Sequence, residues 1–154
     1  MKVLMICLGN ICRSPLAHGI LEAIIEEKKL DWTVDSCGTS GFHNGEAPDS
    51  RSVAVASSHN LDISRQQSRK LVKADIENFD LLIAMDSSNF QNIKALANED
   101  QYAKIKLLLN YTYPDQNRAV PDPYYEGGFE SVYQMIYKAC HDLVEQELKN
   151  ISLA

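Results

Sequence analysis

The sequence predicts an α/β fold in which a parallel sheet is covered by helices on both faces. Three observations lead there. Short apolar runs alternate with amphipathic helical stretches, the pattern of strands buried on both sides. The 154 residues suit a single domain spanning 1–154, large enough to bury a core without disulfide or metal staples. A hydrophobic content of 45% with 23% charged residues is that of an ordinary globular chain, with no repeat, low-complexity tract or linker to divide it.

The elements follow in order. Lys2 to Ile6 reads as a buried strand. Ser14 then reads as an N-cap and Pro15 as the first helical position, where a missing N–H costs nothing. Leu16, Ile20, Ala23 and Ile24 give that helix an apolar face to about Lys29. Trp32 to Ser36 is a second strand, and Gly38 to Pro48 a loop marked by Gly38, Gly41, Gly45 and Pro48. A helix is expected from Asp49 to about Ser58 and a short one from Ala74 to Asn78. Asp80 to Met85 is a third strand with a helix after Asp86, and Ile105 to Leu109 is a fourth. Pro114, Pro121 and Pro123 keep Tyr113 to Gly128 from long regular structure. Phe129, Val132, Tyr133, Ile136, Cys140, Leu143 and Val144 lie at helical spacing and define a last helix to about Lys149.

The most specific chemical signal is Cys7-Leu8-Gly9-Asn10-Ile11-Cys12-Arg13-Ser14-Pro15, at the turn between the first strand and first helix. In a parallel sheet this is the carboxyl end of a strand, where ligand sites form. A phosphate here would meet several backbone N–H groups and the positive end of a helix dipole. Gly9 can take positive φ and Asn10 tolerates it, which helps those groups converge. Arg13 can grip two phosphate oxygens and keeps its charge. The same donors favour a Cys7 thiolate; a free thiol near 8.5 can fall to roughly 3.5–7.5 in such settings. The Ser14 hydroxyl could cap the helix or donate to the Cys7 sulfur.

Breaking a phosphate ester also needs a proton for the leaving oxygen. Val120-Pro121-Asp122-Pro123-Tyr124-Tyr125 offers a carboxyl on a stiff segment, with two tyrosines as an aromatic wall. A zinc site is not expected, because Cys7, Cys12, Cys37, Cys140 and the four histidines lack ligand spacing. A Gly-rich nucleotide loop of the G-x-x-x-x-G-K-[ST] kind is absent. The net charge of −6 argues against a general nucleic-acid binder and requires any anion site to be built from local donors. The first apolar run is too short for a membrane span or signal peptide, and scattered cysteines fit a reduced, cytoplasmic protein.

Together, the Cys7–Pro15 nonapeptide and Asp122-Pro123-Tyr124-Tyr125 resemble the low-molecular-weight protein tyrosine phosphatases, and the resemblance covers nearly the whole chain. Asp35-Ser36-Cys37-Gly38-Thr39, Pro48-Asp49-Ser50-Arg51 and Phe79-Asp80-Leu81-Leu82-Ile83-Ala84-Met85-Asp86 are similar to further segments of that family. The resemblance implies a doubly wound, central four-stranded parallel sheet with the phosphate-binding loop between first strand and first helix. It implies a two-step hydrolysis without metal or cofactor, in which Cys7 forms a phosphocysteine, Arg13 and the loop amides hold the oxygens, and Asp122 is general acid and then base. It also implies Asn10 as a loop brace, Ser14 as donor to the thiolate, Ser36 behind Asn10, and Leu8, Ile11, Phe42, Tyr124 and Tyr125 around the aryl ring. Cys12 would form a reversible, protective disulfide with Cys7.

Phosphotyrosine proteins are the implied partners, a tyrosine kinase among the candidates, for an enzyme acting as monomer or weak dimer; Tyr124 and Tyr125 are themselves candidates for phosphorylation. Two features depart from the family. Arg65-Gln66-Gln67-Ser68-Arg69 stands where many members carry a histidine, and His18 where many bacterial members have Glu. His18 reads as a neutral rim residue, His43, His59 and His141 as surface or structural residues, and Cys37 and Cys140 as packing. Same-fold alternatives are arsenate reductase, disfavoured because no cysteine follows Met85 closely, and protein arginine phosphatase, which resembles the family with Thr where Ile11 stands. A non-catalytic phosphotyrosine-binding module is the alternative of another class; it predicts loss of the Cys, Arg or Asp, and all three are present.

Overall fold

The computed structural model describes residues 1–154. Four parallel strands, β1 (Lys2–Cys7), β2 (Thr33–Gly38), β3 (Leu81–Ala84) and β4 (Ile105–Leu107), form one sheet in the order β2-β1-β3-β4. The order reverses at β1, which places the end of that strand at the switch point of the sheet. Six helices accompany it: α1 (Arg13–Glu27), α2 (Ser50–Ser58), α3 (Lys73–Asn78), α4 (Ser87–Leu96), α5 (Pro123–Glu126) and α6 (Phe129–Leu153). No helix is long and apolar enough to cross a membrane.

Alternate residues of β1 feed two cores. Val3 and Met5 join α1 and α6 on one face, while Leu4 and Ile6 join Ile76, Leu82 and Ile93 on the other. This is why β1 and β3 read as continuous apolar runs: each face of the central strands is covered, and each fully buried Leu or Ile contributes roughly 1.5–3 kcal/mol. Cys37 and Cys140 are fully buried packing residues, as expected.

Several boundaries differ from the sequence reading. Helix α1 begins at Arg13, with Cys12 in the capping position, so Ser14 and Pro15 already lie inside its first turn. Lys29 is left-handed (φ 55°) and ends the helix; the Leu30 amide reaches back to the Ile25 carbonyl at 3.0 Å. Strand β4 keeps only three residues, because Leu108–Tyr111 winds into a 3-10 turn. The proline-rich segment holds one helical turn, α5, capped by Asp122 with Pro123 in its first turn.

Candidate active site

The loop from Cys7 to Arg13 is fixed from outside by its carbonyl groups. The Cys7 and Leu8 carbonyls accept from the Thr39 and Ser40 amides, both at 2.9 Å, and the Ile11 carbonyl from the Asp49 amide at 2.8 Å. The Gly9 carbonyl accepts from the Ser68 hydroxyl at 3.0 Å. A trans peptide points its N–H opposite its carbonyl. With these carbonyls turned toward the scaffold, the amides that follow them face the hollow of the loop. Asn10, left-handed at φ 56°, turns the chain, and its amide donates to the Cys7 sulfur at 3.3 Å.

Gly9 does not take positive φ; its value is space. A Cβ there would stand 3.0 Å from the His43 ring. Gly38 matters more, since a Cβ would come within 2.7 Å of the Leu8 carbonyl oxygen. In sequence Gly38 marks only the start of a loop after the second strand; the close approach of β2 to the phosphate loop is what demands it.

Beneath the loop, Asn10 Nδ2 donates to Ser14 Oγ (2.7 Å) and Ser36 Oγ (3.0 Å), and Asn10 Oδ1 accepts from the Arg69 amide (3.1 Å). Ser14 Oγ lies 3.0 Å from Cys7 Sγ. Ser14 Oγ thus lies at the sulfur and not at the helix end, where Cys12 holds the capping position without a side-chain cap. His18, a rim residue by its place in the sequence, instead lies beneath the loop, with Nδ1 3.1 Å from Ser36 Oγ.

Arg13 is almost wholly buried, donating through Nη1 to Asp86 Oδ2 (2.7 Å) and the Val120 carbonyl (2.9 Å), with Nη2 3.5 Å from Asp122 Oδ2. Burial opposes its charge, but Cys7, Asp86 and Asp122 outweigh burial and raise its pKa above the ordinary value. In sequence Asp86 marks only the start of a helix and the end of a family-like segment, with no sign of its tie to Arg13. It caps α4 through the Asn89 amide at 2.8 Å and is the arginine's main partner. Asp122 is held by the Tyr124 amide at 3.1 Å.

These groups line a cleft of about 320 Å³ floored by Cys7, Cys12 and Arg13 and walled by Leu8, Gly9, Ile11, Ser40, Phe42, His43, Asp122, Tyr124 and Tyr125. His43, read from sequence as a surface or structural residue, is part of that wall, its Nδ1 2.7 Å from Glu46. Tyr124 and Tyr125 meet edge to face at 5.0 Å, and Arg51, paired with Asp49, lies 5.5 Å over the Tyr124 ring. Cys12 is buried, and burial, reinforced by Asp49, pushes its thiol up to about 12. A larger depression of about 660 Å³ at the open edge of β4 has no thiol or arginine. No group of three or more His, Cys, Asp or Glu side chains is arranged to hold a metal ion.

The arrangement can hold a tetrahedral anion against inward amides and a guanidinium, with a sulfur beneath it and a carboxyl beside it. Known proteins resemble the whole chain. Residues 2–152 match the family model described as low molecular weight phosphotyrosine protein phosphatase. A protein of that name from Schizosaccharomyces pombe is 38% identical, with 98% of this chain and 97% of the relative covered. The crystal structure of YfkJ from Bacillus subtilis superposes with a TM-score of 0.92 at 34% identity, covering 97% of this chain and 96% of the other. A Drosophila arginine phosphatase is also similar, with a TM-score of 0.88 at 32% identity, covering 96% and 98%.

Proposed function

This chain belongs to the low molecular weight phosphotyrosine protein phosphatase family, a family of hydrolases, and we propose that its Cys7 loop carries the reaction with Asp122 as its acid and base. The observation that carries the assignment is the Cys7 sulfur, 3.0 Å from the Ser14 hydroxyl and 3.3 Å from the Asn10 amide, in one cleft with Arg13 and Asp122.

In the first step the Cys7 thiolate attacks phosphorus, the P–O bond to the tyrosine ring breaks, and Asp122 gives its proton to the departing oxygen. Arg13 and the inward amides hold the three equatorial oxygens as charge spreads over them. In the second step Asp122 takes a proton from water, whose oxygen attacks phosphorus and breaks the P–S bond. Phosphate leaves and the thiolate returns. Leu8, Ile11, Phe42, Tyr124 and Tyr125 bracket the aryl ring, while Asn10, Ser14 and Ser36 keep the loop in shape. The whole chain acts as one phosphatase domain, as a monomer or weak dimer, on phosphotyrosine proteins that include a tyrosine kinase. Its four free cysteines suit a reducing, cytoplasmic setting. Under peroxide, Cys7 is oxidised to a sulfenic acid, which condenses with the Cys12 thiol to a disulfide and releases water.

The arginine phosphatase likeness makes phosphoarginine the competing substrate, and the flat aromatic wall around Ile11 favours the aryl ester. Turnover of a phosphotyrosine peptide, p-nitrophenyl phosphate and phosphoarginine by wild type and Asp122→Asn tests both. The reading expects preference for the aryl esters, and a loss of about 10²–10⁴ on phosphotyrosine in the variant. Preferred hydrolysis of phosphoarginine, or an unchanged phosphotyrosine rate in the variant, refutes it.

A further inference from the structure

The hydrogen bonds under the loop have a direction, and one residue outside the proposed machinery sets it. Asn10 Nδ2 has two hydrogens, one for Ser14 Oγ and one for Ser36 Oγ. Both serines therefore accept from Asn10 and must place their own protons elsewhere. Ser14 has the Cys7 sulfur at 3.0 Å, an acceptor strengthened by its negative charge as thiolate. Ser36 is buried, and the acceptor its hydroxyl meets is His18 Nδ1 at 3.1 Å.

We propose that His18 is a positioning residue for the phosphate loop: its Nδ1 takes the Ser36 hydroxyl proton and so orients the hydrogen bonds that run through Asn10 and Ser14 to Cys7. This rests on the reading of Cys7 as nucleophile. It requires the imidazole to be neutral with its proton on Nε2. The other side of the ring suits that tautomer. The Gln66 side-chain oxygen is buried with no hydrogen-bond partner and lies near the imidazole, while the Gln66 amide nitrogen donates to the Pro15 carbonyl at 3.1 Å. Glu22, one turn along α1, has a carboxylate oxygen 3.7 Å from Nε2. From β2, the charge of Asp35 also acts on the ring, although the carboxylate itself pairs with Arg69 at 3.0 Å.

Protonation would reverse the Ser36 link. Nδ1 would become a donor, Ser36 Oγ would receive hydrogens from both Asn10 and His18, and its own proton would lose its acceptor in a buried place. Burial of the imidazole, only partly opposed by Glu22 and Asp35, pulls its pKa down and keeps the acceptor form on the acid side of neutrality.

The test compares His18→Asn, which keeps an acceptor oxygen near the Nδ1 position, with His18→Leu, which removes it. Turnover of p-nitrophenyl phosphate is read with the pH dependence of Cys7 alkylation by iodoacetate, located by peptide mapping. The Leu variant should lose about three- to tenfold in kcat, with KM little changed, and its Cys7 alkylation should shift to higher pH by about half to one unit. The Asn variant should stay within about twofold of wild type. A nitrogen-detected NMR spectrum at neutral pH should show Nδ1 unprotonated. Equal losses in both variants would reduce His18 to packing, and an unmoved alkylation profile in a folded Leu variant would overturn the proposal, as would a proton on Nδ1. Alkylation needs no turnover, so an inactive wild type would refute the nucleophile reading while the alkylation profiles still decide the role of His18.

Discussion

Asp86 is asked to do two things with one carboxylate, and replacing it by Asn exposes both. Oδ1 accepts from the Asn89 amide at 2.8 Å and caps α4, while Oδ2 accepts from Arg13 Nη1 at 2.7 Å. Asparagine has the same shape but one acceptor oxygen. If that oxygen keeps the cap, an amide NH2 faces the guanidinium, donor against donor; if it turns to Arg13, the cap is lost. Breaking a fully buried ion pair costs about 3–5 kcal/mol. Arg13 is 3% exposed but Asp86 is 24% exposed, and the arginine keeps the Val120 carbonyl at 2.9 Å and Asp122 at 3.5 Å. A loss of about 1–3 kcal/mol in stability is the scaled expectation for Asp86→Asn. A guanidinium displaced from its proposed phosphate-holding position should also lower kcat by about 10–100-fold, equivalent to about 1.4–2.7 kcal/mol of transition-state stabilisation. Urea unfolding gives the first quantity, and p-nitrophenyl phosphate turnover with vanadate inhibition gives the second. A folded Asn variant with kcat and vanadate affinity within twofold of wild type would refute the claim that Asp86 holds Arg13 in place.

Gly38→Ala should cut activity at least about tenfold, because the added Cβ, 2.7 Å from the Leu8 carbonyl oxygen, must push the loop or β2 aside; wild-type kinetics in the variant would refute that crowding. Glu147, buried among the Lys106 ammonium, the Tyr111 hydroxyl and the Asn150 amide, has its pKa lowered because those donors outweigh burial. A depressed carboxylate stabilises the fold above its unfolded pKa, and the contribution is lost as pH falls through the folded value. Glu147→Gln should therefore cost about 1–3 kcal/mol at pH 7 and progressively less below about pH 4.5, as read by denaturant titrations at both pH values. A cost independent of pH would show that only packing is at stake. After mild peroxide, dithiothreitol should restore wild type but only a small part of Cys12→Ser activity; equal recovery would remove Cys12 from redox protection.

What was legible in the sequence divides along physical lines. The strands are readable because both faces of the central sheet are covered, so β1 from Val3 onward and all of β3 are apolar. The loop was readable because its donors, sulfur and helix start are consecutive in the chain. Ser14-Pro15 is good local capping chemistry and so marks a later start for α1 than the fold adopts, where Cys12 is the capping residue and Ser14 Oγ lies at the Cys7 sulfur. Asp86, Gly38, His43 and His18 gave no usable signal for a related reason. Asp86 looks like any Asp ahead of a helix, and its tie to Arg13 spans 73 residues. Gly38 is required by the loop passing over it, and His18 by a serine on another strand. Such roles exist only after β1, β2 and β3 are laid side by side.

The central claim, that Cys7 is phosphorylated and dephosphorylated in each turnover, is tested most directly by rapid acid quenching during hydrolysis of a phosphotyrosine peptide, followed by mapping of the phosphorylated residue. The account predicts a phosphoryl group on the Cys7 sulfur that forms and decays within the turnover time, and that is absent, together with activity, in Cys7→Ser. Label on another residue, or hydrolysis by Cys7→Ser at a rate near wild type, would contradict it.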